Sequence, residues 1–426
     1  MIRENQRRFG FDWPLILIYF LLVGFGYLNI MSASHNGEVL SYFNMSTSYG
    51  KHLIFMGLAV ILIVLTLSVE AKFYEHFASI IYVVAILSLI GLFVFGKDVN
   101  GARSWYGIGS MTIQPSEFAK FATALAVAKY ISDIQTNLKT FRDQIKAAAI
   151  IFLPALLILL QNDAGSTLVY ASFFFVFYRE GLQQIYLVIG LSLVILAVLA
   201  LKFGIGATGL IAVLIVFGLF FLRRKKRTSI LQPIMILIVS LVFAFGVKLF
   251  YNHVLKPHQQ NRISLWLRLE KDPIKLERMK KAEAYNLIQS EEAIGAGGFW
   301  GKGFMQGTRT KGKFVPEQDT DYIFSTVGEE WGFLGSSFVV ILFIILIMRI
   351  LYLSENQKSQ FSRVYGYSVA SIFFLHFTIN IGMVMGLIPT VGIPLPFFSA
   401  GGSGLWAFTL LLFIFIKLDS NKINEW

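Results

Sequence analysis

The chain contains no cysteine among its 426 residues, and only 10 prolines. The absence of cysteine excludes disulfide bonds, thiolate metal sites and cysteine nucleophiles. Charged residues make up 15% of the sequence, well below the roughly 25% of an average soluble domain. Acidic residues are the scarcer sign, since 25 Asp and Glu stand against 37 Lys and Arg. The resulting net charge of +12 suits basic loops beside a membrane, and it would also suit an anionic ligand.

Several chemical motifs are missing as well. The sequence has neither a P-loop nor a GxGxxG dinucleotide fingerprint, which argues against ATP-driven transport. No cluster of His, Asp and Glu has the spacing of a metal site, and no Ser-His-Asp arrangement is recognisable. Nothing in the sequence supports binding to nucleic acid.

Long apolar runs dominate what is present. Hydrophobic residues make up 56% of the chain, and the mean hydropathy is +0.65. Without period-2 alternation such runs cannot form a barrel, so we predict an all-α polytopic membrane protein with about twelve transmembrane helices. The predicted spans lie near 13–34, 52–69, 74–95, 116–132, 145–160, 166–178, 184–203, 208–222, 229–252, 322–352, 364–388 and 401–418.

Basic residues in alternate loops predict the orientation of the chain. They include three arginines before the first run, the RRKKR stretch at 223–227, and Lys417 and Lys422 after the last run. With twelve spans these loops share one side, so we expect both termini in the cytoplasm. The outer face then carries residues 35–50, 96–115, 161–165, 253–321 and 389–400.

The outer segment 253–321 is long enough to have a structure of its own. At about 70 residues it far exceeds an ordinary connection. Asp272 followed by Pro273 is typical of a helix start, and we expect that helix to continue to about Glu292. The glycine-dense stretch IGAGGFWGKGFMQGT comes next, and we expect it to be irregular.

Three acids stand at the edge of the membrane in the stretch VPEQDTDYIF. Glu317, Asp319 and Asp321 directly precede a predicted span. One interpretation is that an acid caps the start of that helix. The other is catalytic, because a carboxylate at the edge of a low-dielectric region is a stronger base. Both interpretations are open from the sequence alone.

Two other outer motifs carry charged residues. In GARSWYGIGSMTIQPSEFAK, Glu117 and Lys120 are three residues apart on a predicted helix and can pair, as a structural ion pair or in direct chemistry. Arg103 before this helix can contact lipid headgroups or clamp a phosphate. In QNDAGST, Asp163 is either a helix cap or a site residue.

The last two outer features are rich in glycine or proline. Lys302 and Arg309 lie in the glycine-rich stretch, which suits either a phosphate or a solvated loop. Residues 380–404 contain three prolines and several glycines, and irregular backbone at membrane depth persists only when it is buried or lines a cavity. All five features lie on one predicted face, so we expect a single site there for an anionic amphiphile.

Five motifs also carry a resemblance to a known family. They read QPSEFAK, QNDAGST, IQSEEAIGAGGFWGKGFMQGT, PEQDTDYIF followed by GEEWG, and NIGMVMGLIPTVGIPLPFFSAGGSG. In this order they resemble the SEDS proteins (shape, elongation, division and sporulation), which polymerise peptidoglycan from lipid II. The resemblance extends from the first apolar run to the last, and the final motif is similar to the elongation enzymes of the family.

The resemblance implies roles for individual residues. The catalytic Asp of the family's His-Thr-Asp-Phe motif corresponds to Asp321. The Glu and Lys of its Gln-Pro-Ser-Glu helix correspond to Glu117 and Lys120, a pair important for activity. The candidates for contacts with the substrate or its pyrophosphate are Arg103, Lys302, Arg309, Asp163, Gln289, Ser290 and Ser399.

The chain departs from the family pattern in three places. Asp319 stands where His is common, and Gly404 stands where a second Ser is common. Family members usually have about ten spans, so two extra helices lie within 184–252. We interpret residues 1–426 as one transmembrane domain that contains this insertion and the loop 253–321.

The resemblance implies a peptidoglycan glycosyltransferase of the bacterial cytoplasmic membrane, with its active site outside. It would join lipid II units by inverting transfer, release undecaprenyl pyrophosphate, and serve cell elongation and rod shape. No cofactor is required with certainty, and a divalent cation (Mg or Mn) remains open. The implied partners are lipid II, a class B penicillin-binding protein transpeptidase, other membrane proteins of the elongation complex, and membrane lipids. Two alternatives are a lipid II flippase and a non-catalytic scaffold.

Overall fold

The computed structural model describes residues 10–35, 43, 45–99, 101–109, 111–222, 231–282 and 284–422. The helices are α1 (Trp13–Ser34), α2 (Ser48–Ser68), α3 (Ala71–Phe95), α4 (Pro115–Ile131), α5 (Phe141–Leu160), α6 (Ala164–Val169), α7 (Phe173–Arg179), α8 (Gln184–Leu222), α9 (Leu231–His253), α10 (Pro257–Leu267), α11 (Pro273–Lys281), α12 (Tyr285–Gly297), α13 (Thr308–Lys311), α14 (Ile323–Glu355), α15 (Gln360–Val384) and α16 (Gly402–Asn421). A 3₁₀ turn (Tyr170–Ser172) joins α6 to α7. Three short strands are β1 (Lys97–Val99), β2 (Ala102–Ile108) and β3 (Met111–Ile113).

Long apolar helices confirm the predicted fold class. Within the described residues, nine helices are long and apolar enough to cross a membrane: α1, α2, α3, α5, α8, α9, α14, α15 and α16. Two more predicted spans coincide with shorter helices, namely α4 and the α6–α7 pair. The chain is therefore an all-α multi-pass membrane protein.

The predicted spans 184–203 and 208–222 form one helical element, α8. It has 39 residues, about twice what a single crossing requires. Gly204 interrupts it with non-helical angles (φ 79°, ψ 168°), a conformation that glycine adopts without steric cost. The two crossings expected here stay a prediction. The RRKKR stretch and Arg3, Arg7 and Arg8, on which the orientation depends, lie outside the described residues.

The chain divides into two compact units. The first contains residues 1–182, 289–385 and 391–426, and the second contains residues 183–288 and 386–390. The predicted loop 253–321 is therefore shared between them, because its first part up to residue 288 belongs to the second unit.

Helix α4 is the central helix of the first unit. Thirteen of its 17 residues are buried, and it packs against α3, α15 and α16. Five of its residues are alanine, and small side chains allow helices in a membrane to approach closely. This packing fixes the position of the two charged residues, Glu117 and Lys120, that α4 carries.

A small antiparallel sheet between α3 and α4 was not expected from the sequence. The strand order is β1-β2-β3, and Tyr106 pairs with Ile113 across the second pair of strands. The Tyr106 hydroxyl donates a hydrogen bond to the Ser88 carbonyl oxygen at 2.8 Å, which ties the sheet to α3. Desolvation raises the pKa of Tyr106, so this phenol remains a donor at neutral pH.

The helix predicted after Asp272 is confirmed at its start and wrong at its end. The Asp272 side chain accepts a hydrogen bond from the Ile274 amide and caps α11. That helix ends at Lys281, and α12 then continues through Gly297. The first four residues of the glycine-dense stretch are therefore helical, contrary to the prediction, because Gly297 packs its helix against another backbone.

Gly297→Ala should destabilise the protein through this close approach. A Cβ at residue 297 would clash with the Gly328 carbonyl oxygen and lie 2.9 Å from that of Glu329. Forcing an extra methyl group into a packed site costs about 1–3 kcal/mol, so thermal unfolding in detergent should begin at a lower temperature. Gly295→Ala in the same helix is the matched control, because nothing lies within 4 Å of its Cβ position. Equal melting of both variants would contradict the packing argument.

Candidate active site

One cavity of about 480 Å³ in the first unit collects the acids that the sequence singled out. Its wall is formed by α2, β2, β3, α4, the start of α6, the turn before α14, and the segment 392–408. The charged residues that line it are Lys51, Glu117, Asp163, Glu317, Asp319 and Asp321. The structure thus brings the acids of three sequence motifs to a single cavity, as predicted.

The acids of VPEQDTDYIF line the cavity. The N-cap of α14 is Tyr322, whose own side chain forms no capping hydrogen bond. The cap position itself is therefore not an acid, and the helix-start interpretation of these carboxylates stays a prediction.

Three hydrogen bonds hold the main chain of this acidic turn. The Asn380 amide nitrogen donates to the Asp321 carbonyl oxygen at 2.8 Å, and the Ser399 hydroxyl donates to that of Thr320 at 2.7 Å. The Ala400 amide donates to the Asp319 carbonyl oxygen at 2.8 Å. The irregular segment after α15 therefore positions the acids, and its predicted place in the wall of a pocket is confirmed.

Gly392 provides the closest approach to Asp321. Its φ is +75°, and a Cβ at this residue would lie 3.1 Å from Asp321 Oδ2. A Cβ at Gly165 in α6 would in turn lie 2.7 Å from the Gly392 carbonyl oxygen. Two glycines thus allow three segments to meet beside the Asp321 carboxylate.

Glu117 and Lys120 form the predicted ion pair, and His376 extends it. Lys120 Nζ donates to Glu117 Oε1 at 2.7 Å and to His376 Nε2 at 2.9 Å. Because an ammonium only donates, His376 Nε2 accepts and Nδ1 carries the ring proton. Nδ1 then donates to the Pro394 carbonyl oxygen at 3.2 Å. Glu117 also lines the cavity, so this buried chain links the cavity to the Pro394 segment.

Asp163 combines both of the interpretations left open by the sequence. Its Oδ1 accepts from the Ser166 amide at 2.9 Å and caps α6. Its Oδ2 accepts from the Gln114 side-chain nitrogen at 3.0 Å, and the residue lines the cavity. Gln114 therefore connects α4 to the QNDAGST loop at the cavity wall.

The three predicted pyrophosphate cations do not line the cavity. Arg103 donates to the carbonyl oxygens of Gly96 and Val94, at the end of α3. Lys302 forms a 2.7 Å ion pair with Glu329. Arg309 forms a 2.6 Å ion pair with Glu292. Their predicted role towards pyrophosphate therefore gains no support from their positions.

The remaining candidates divide between the cavity and the glycine-rich loop. Ser399 lines the cavity. Gln289 accepts a hydrogen bond from Arg309, and buried Ser290 donates to the Val384 carbonyl oxygen at 3.0 Å. Both polar groups are engaged within the fold, away from the cavity lining.

Buried Glu329 pairs with one of the two loop cations, Lys302, and sequence reasoning missed it. Its carboxylate accepts from the amides of Arg309 and Thr310 at 3.0 and 2.8 Å, besides its ion pair with Lys302. It lies six residues beyond the start of α14, in the GEEWG motif. The two adjacent glutamates of this motif were the sequence feature that could have indicated its role. Glu329 thus anchors the glycine-rich loop to α14.

Lys51, Trp105 and His376 were also missed. Lys51 and Trp105 line the cavity, and His376 contacts Lys120. For Lys51 a signal existed, because a lysine beside the outer end of a predicted span runs against the usual charge bias. For His376 the signal was a lone imidazole in an apolar run.

No metal site is preformed in the part of the chain that the structure describes. No group of three or more His, Cys, Asp or Glu side chains there is placed to hold an ion. The five cavity carboxylates surround the space rather than converging on a point.

Comparison with known proteins identifies the family. The model of a family described as "Cell cycle protein", which covers FtsW, RodA and SpoVE, matches residues 13–203 and 178–424. The chain belongs to this family. The FtsW/RodA/SpoVE proteins are the SEDS family, so the resemblance of the motifs is confirmed.

Curated relatives place the chain beside the RodA members of this SEDS family. The peptidoglycan glycosyltransferase RodA of Treponema pallidum is 33% identical over 448 aligned residues, covering 97% of this chain and 98% of the relative. The peptidoglycan glycosyltransferase MrdB of Escherichia coli K12 is 32% identical, covering 92% of this chain and 89% of the relative.

A solved structure supports the SEDS fold independently. A chain from a peptidoglycan synthase complex, described as coordinating polymerization and crosslinking, matches with a TM-score of 0.70. It is 23% identical, and the match covers 98% of this chain and 99% of that one. The two chains therefore share a fold over nearly their whole length.

Proposed function

We propose that this protein joins lipid II units into glycan strands by inverting glycosyl transfer, with Asp321 as the base. Its family membership and its relatives over nearly the whole chain make it a peptidoglycan glycosyltransferase. Its similarity to RodA proteins supports a role in cell elongation and rod shape. The observation that carries the residue assignment is the cavity in which the Asp321 main chain is held by the segment after α15.

The reaction requires a proton acceptor beside the attacking hydroxyl. The 4-hydroxyl oxygen of the acceptor GlcNAc forms a bond to C1 of the donor MurNAc. The bond between C1 and the pyrophosphate oxygen breaks, and undecaprenyl pyrophosphate leaves with the electron pair. The hydroxyl proton passes to the Asp321 carboxylate. An α-linked donor and a β-linked product correspond to one displacement, so one base is sufficient.

The Glu117–Lys120–His376 chain supports this site without taking the proton. Lys120 compensates the charge of one cavity carboxylate, and the side chains of the pair are almost fully buried. A buried pair of this kind stays in place because breaking it leaves a charge in low dielectric. We propose that it fixes this part of the cavity wall while Asp321 acts on the substrate.

A divalent cation would supply charge stabilisation on the departing pyrophosphate. Carboxylates are suitable ligands for Mg²⁺, but within the described residues no three of them converge on one point. The residues present therefore do not form a resident metal site, and no step of the mechanism passes through a metal.

We further propose that the cavity faces the outer leaflet of the bacterial cytoplasmic membrane and that both termini are cytoplasmic. Lipid-linked sugars would enter there from the leaflet. The partner would be a class B penicillin-binding protein, a transpeptidase that crosslinks the new strand, with other elongation-complex proteins around it. The fold shared with a chain of a synthase complex that couples polymerization to crosslinking supports this assignment.

Product analysis tests the proposed reaction directly. Purified protein with its transpeptidase partner should convert lipid II into strands that a muramidase digests, with one undecaprenyl pyrophosphate released per bond. Each new glycosidic bond should have the β configuration by NMR. Transport of lipid II across liposomes without strands would favour a flippase instead. If the protein makes no strands and transports no lipid II, only the scaffold role remains.

A further inference from the structure

We propose that Lys51 binds the pyrophosphate group of the donor lipid II and stabilises it as it leaves. This inference rests on the proposed polymerase function and adds a residue that the sequence motifs did not indicate. Among the described residues that line the cavity, Lys51 is the sole lysine or arginine, and it stands with five carboxylates. A diphosphate entering so acidic a space needs a cation, and the protein presents one.

The other basic residues that the sequence motifs singled out in α4 and the glycine-rich loop already form ion pairs with carboxylates of the protein. Lys120 is paired with Glu117, Lys302 with Glu329 and Arg309 with Glu292. The ammonium of Lys51 forms no ion pair within the described part of the chain. A charged donor facing a cavity without an internal acceptor is suited to an anion supplied by a ligand.

The packing of α2 fixes the face on which Lys51 lies. Phe55 is four residues further along the helix and therefore shares its face. The Phe55 carbonyl oxygen accepts a hydrogen bond from Trp406 Nε1 at 3.0 Å, and the two rings meet edge to face at 5.4 Å. Phe55 also lines the cavity. The α2–α16 contact thus holds the Lys51 side of α2 towards the cavity.

The amino end of α2 adds a second source of positive potential beside Lys51. Lys51 lies in the first turn of α2, which Thr47 caps by accepting from the Gly50 amide at 3.2 Å. The amino end of a helix carries a partial positive charge that favours anions. A lysine is disfavoured there by the helix alone, which is consistent with a requirement from the cavity.

Kinetics of Lys51→Gln and Lys51→Arg test the proposal. We expect Lys51→Gln to lower kcat/KM for lipid II by roughly 10- to 100-fold, as expected for a lost charge-assisted hydrogen bond. Lys51→Arg should retain most of the activity because it keeps the charge. Inorganic pyrophosphate should inhibit the wild type competitively and should inhibit Lys51→Gln much more weakly. Thermal unfolding checks that both variants fold.

The control is Lys139→Gln, which removes the same charge from an exposed site outside the cavity and should behave as wild type. Binding to bilayer phosphates is distinguished by varying the anionic lipid of nanodiscs. If Lys51→Gln changes only the lipid dependence and leaves pyrophosphate inhibition intact, the assignment is wrong. Wild-type kcat/KM in Lys51→Gln would overturn it too, whereas wild-type protein that makes no strands would refute the proposed function itself.

Discussion

Asp321→Asn is expected to lower the rate of strand formation by about 10²- to 10⁴-fold, the contribution of a positioned base. The substitution keeps the shape of the side chain and leaves the main-chain hydrogen bond from Asn380 in place. The loss should therefore appear in kcat, measured with purified lipid II, while the protein unfolds at an unchanged temperature. Liposome transport by this variant, if the protein has any, should be unaffected.

Glu317→Gln and Asp319→Asn are the matched controls for this experiment. Both remove one negative charge from the same turn and the same cavity, so they report the general effect of charge. We expect each to change kcat much less than Asp321→Asn. Equal losses in Asp319→Asn would move the base to residue 319. Rescue of rod shape in depleted cells by Asp321→Ala would refute catalysis by this residue altogether.

Lys120→Met should lower the free energy of unfolding more than the Gly297→Ala substitution does. The side chains of Lys120 and Glu117 are 2% and 3% exposed, and removal of one partner leaves a buried carboxylate without its counter-ion. Breaking such a pair costs about 3–5 kcal/mol. His376 Nε2 loses its donor at the same time. Thermal unfolding in detergent should therefore begin at a much lower temperature than in the wild type.

Two further variants separate charge from packing in that result. Lys129→Met lies in the same helix and breaks an exposed pair with Glu75, which is worth about 0–1 kcal/mol. The double variant Glu117→Gln with Lys120→Met removes both buried charges and should recover most of the stability. If the double variant melts as early as Lys120→Met, the lysine contributes through packing and the ion-pair argument fails.

The acids of the site could be predicted because charge is conspicuous in an apolar chain. Glu117, Asp163 and Asp321 each stand at an end of a long hydrophobic run, where a carboxylate is costly without a purpose. The glycine and proline of the segment after α15 marked the irregular wall. These signals are local, and the structure brought the residues together as expected.

The cations could not be assigned in the same way, because their roles depend on distant partners. Lys302 and Arg309 looked suited to phosphate until the structure placed Glu329 and Glu292 against them. Local signals made Lys51 and His376 noticeable, but only the packing of α2 and α15 shows that these residues reach the site. The strands β1 to β3 are seven residues or shorter and gave no periodic signal.

The side-chain amide of Asn380 in α15 donates two hydrogen bonds that other side chains of similar size cannot both make. Its nitrogen donates to the carbonyl oxygens of both Asp321 and Ile393, at 2.8 and 2.7 Å, and so one atom joins the turn before α14 to the irregular segment after α15. A hydroxyl could serve only one of these acceptors, and the isosteric carboxylate would repel both. Two hydrogens on a single nitrogen therefore hold the Asp321 main chain and the irregular segment after α15 in fixed positions relative to each other.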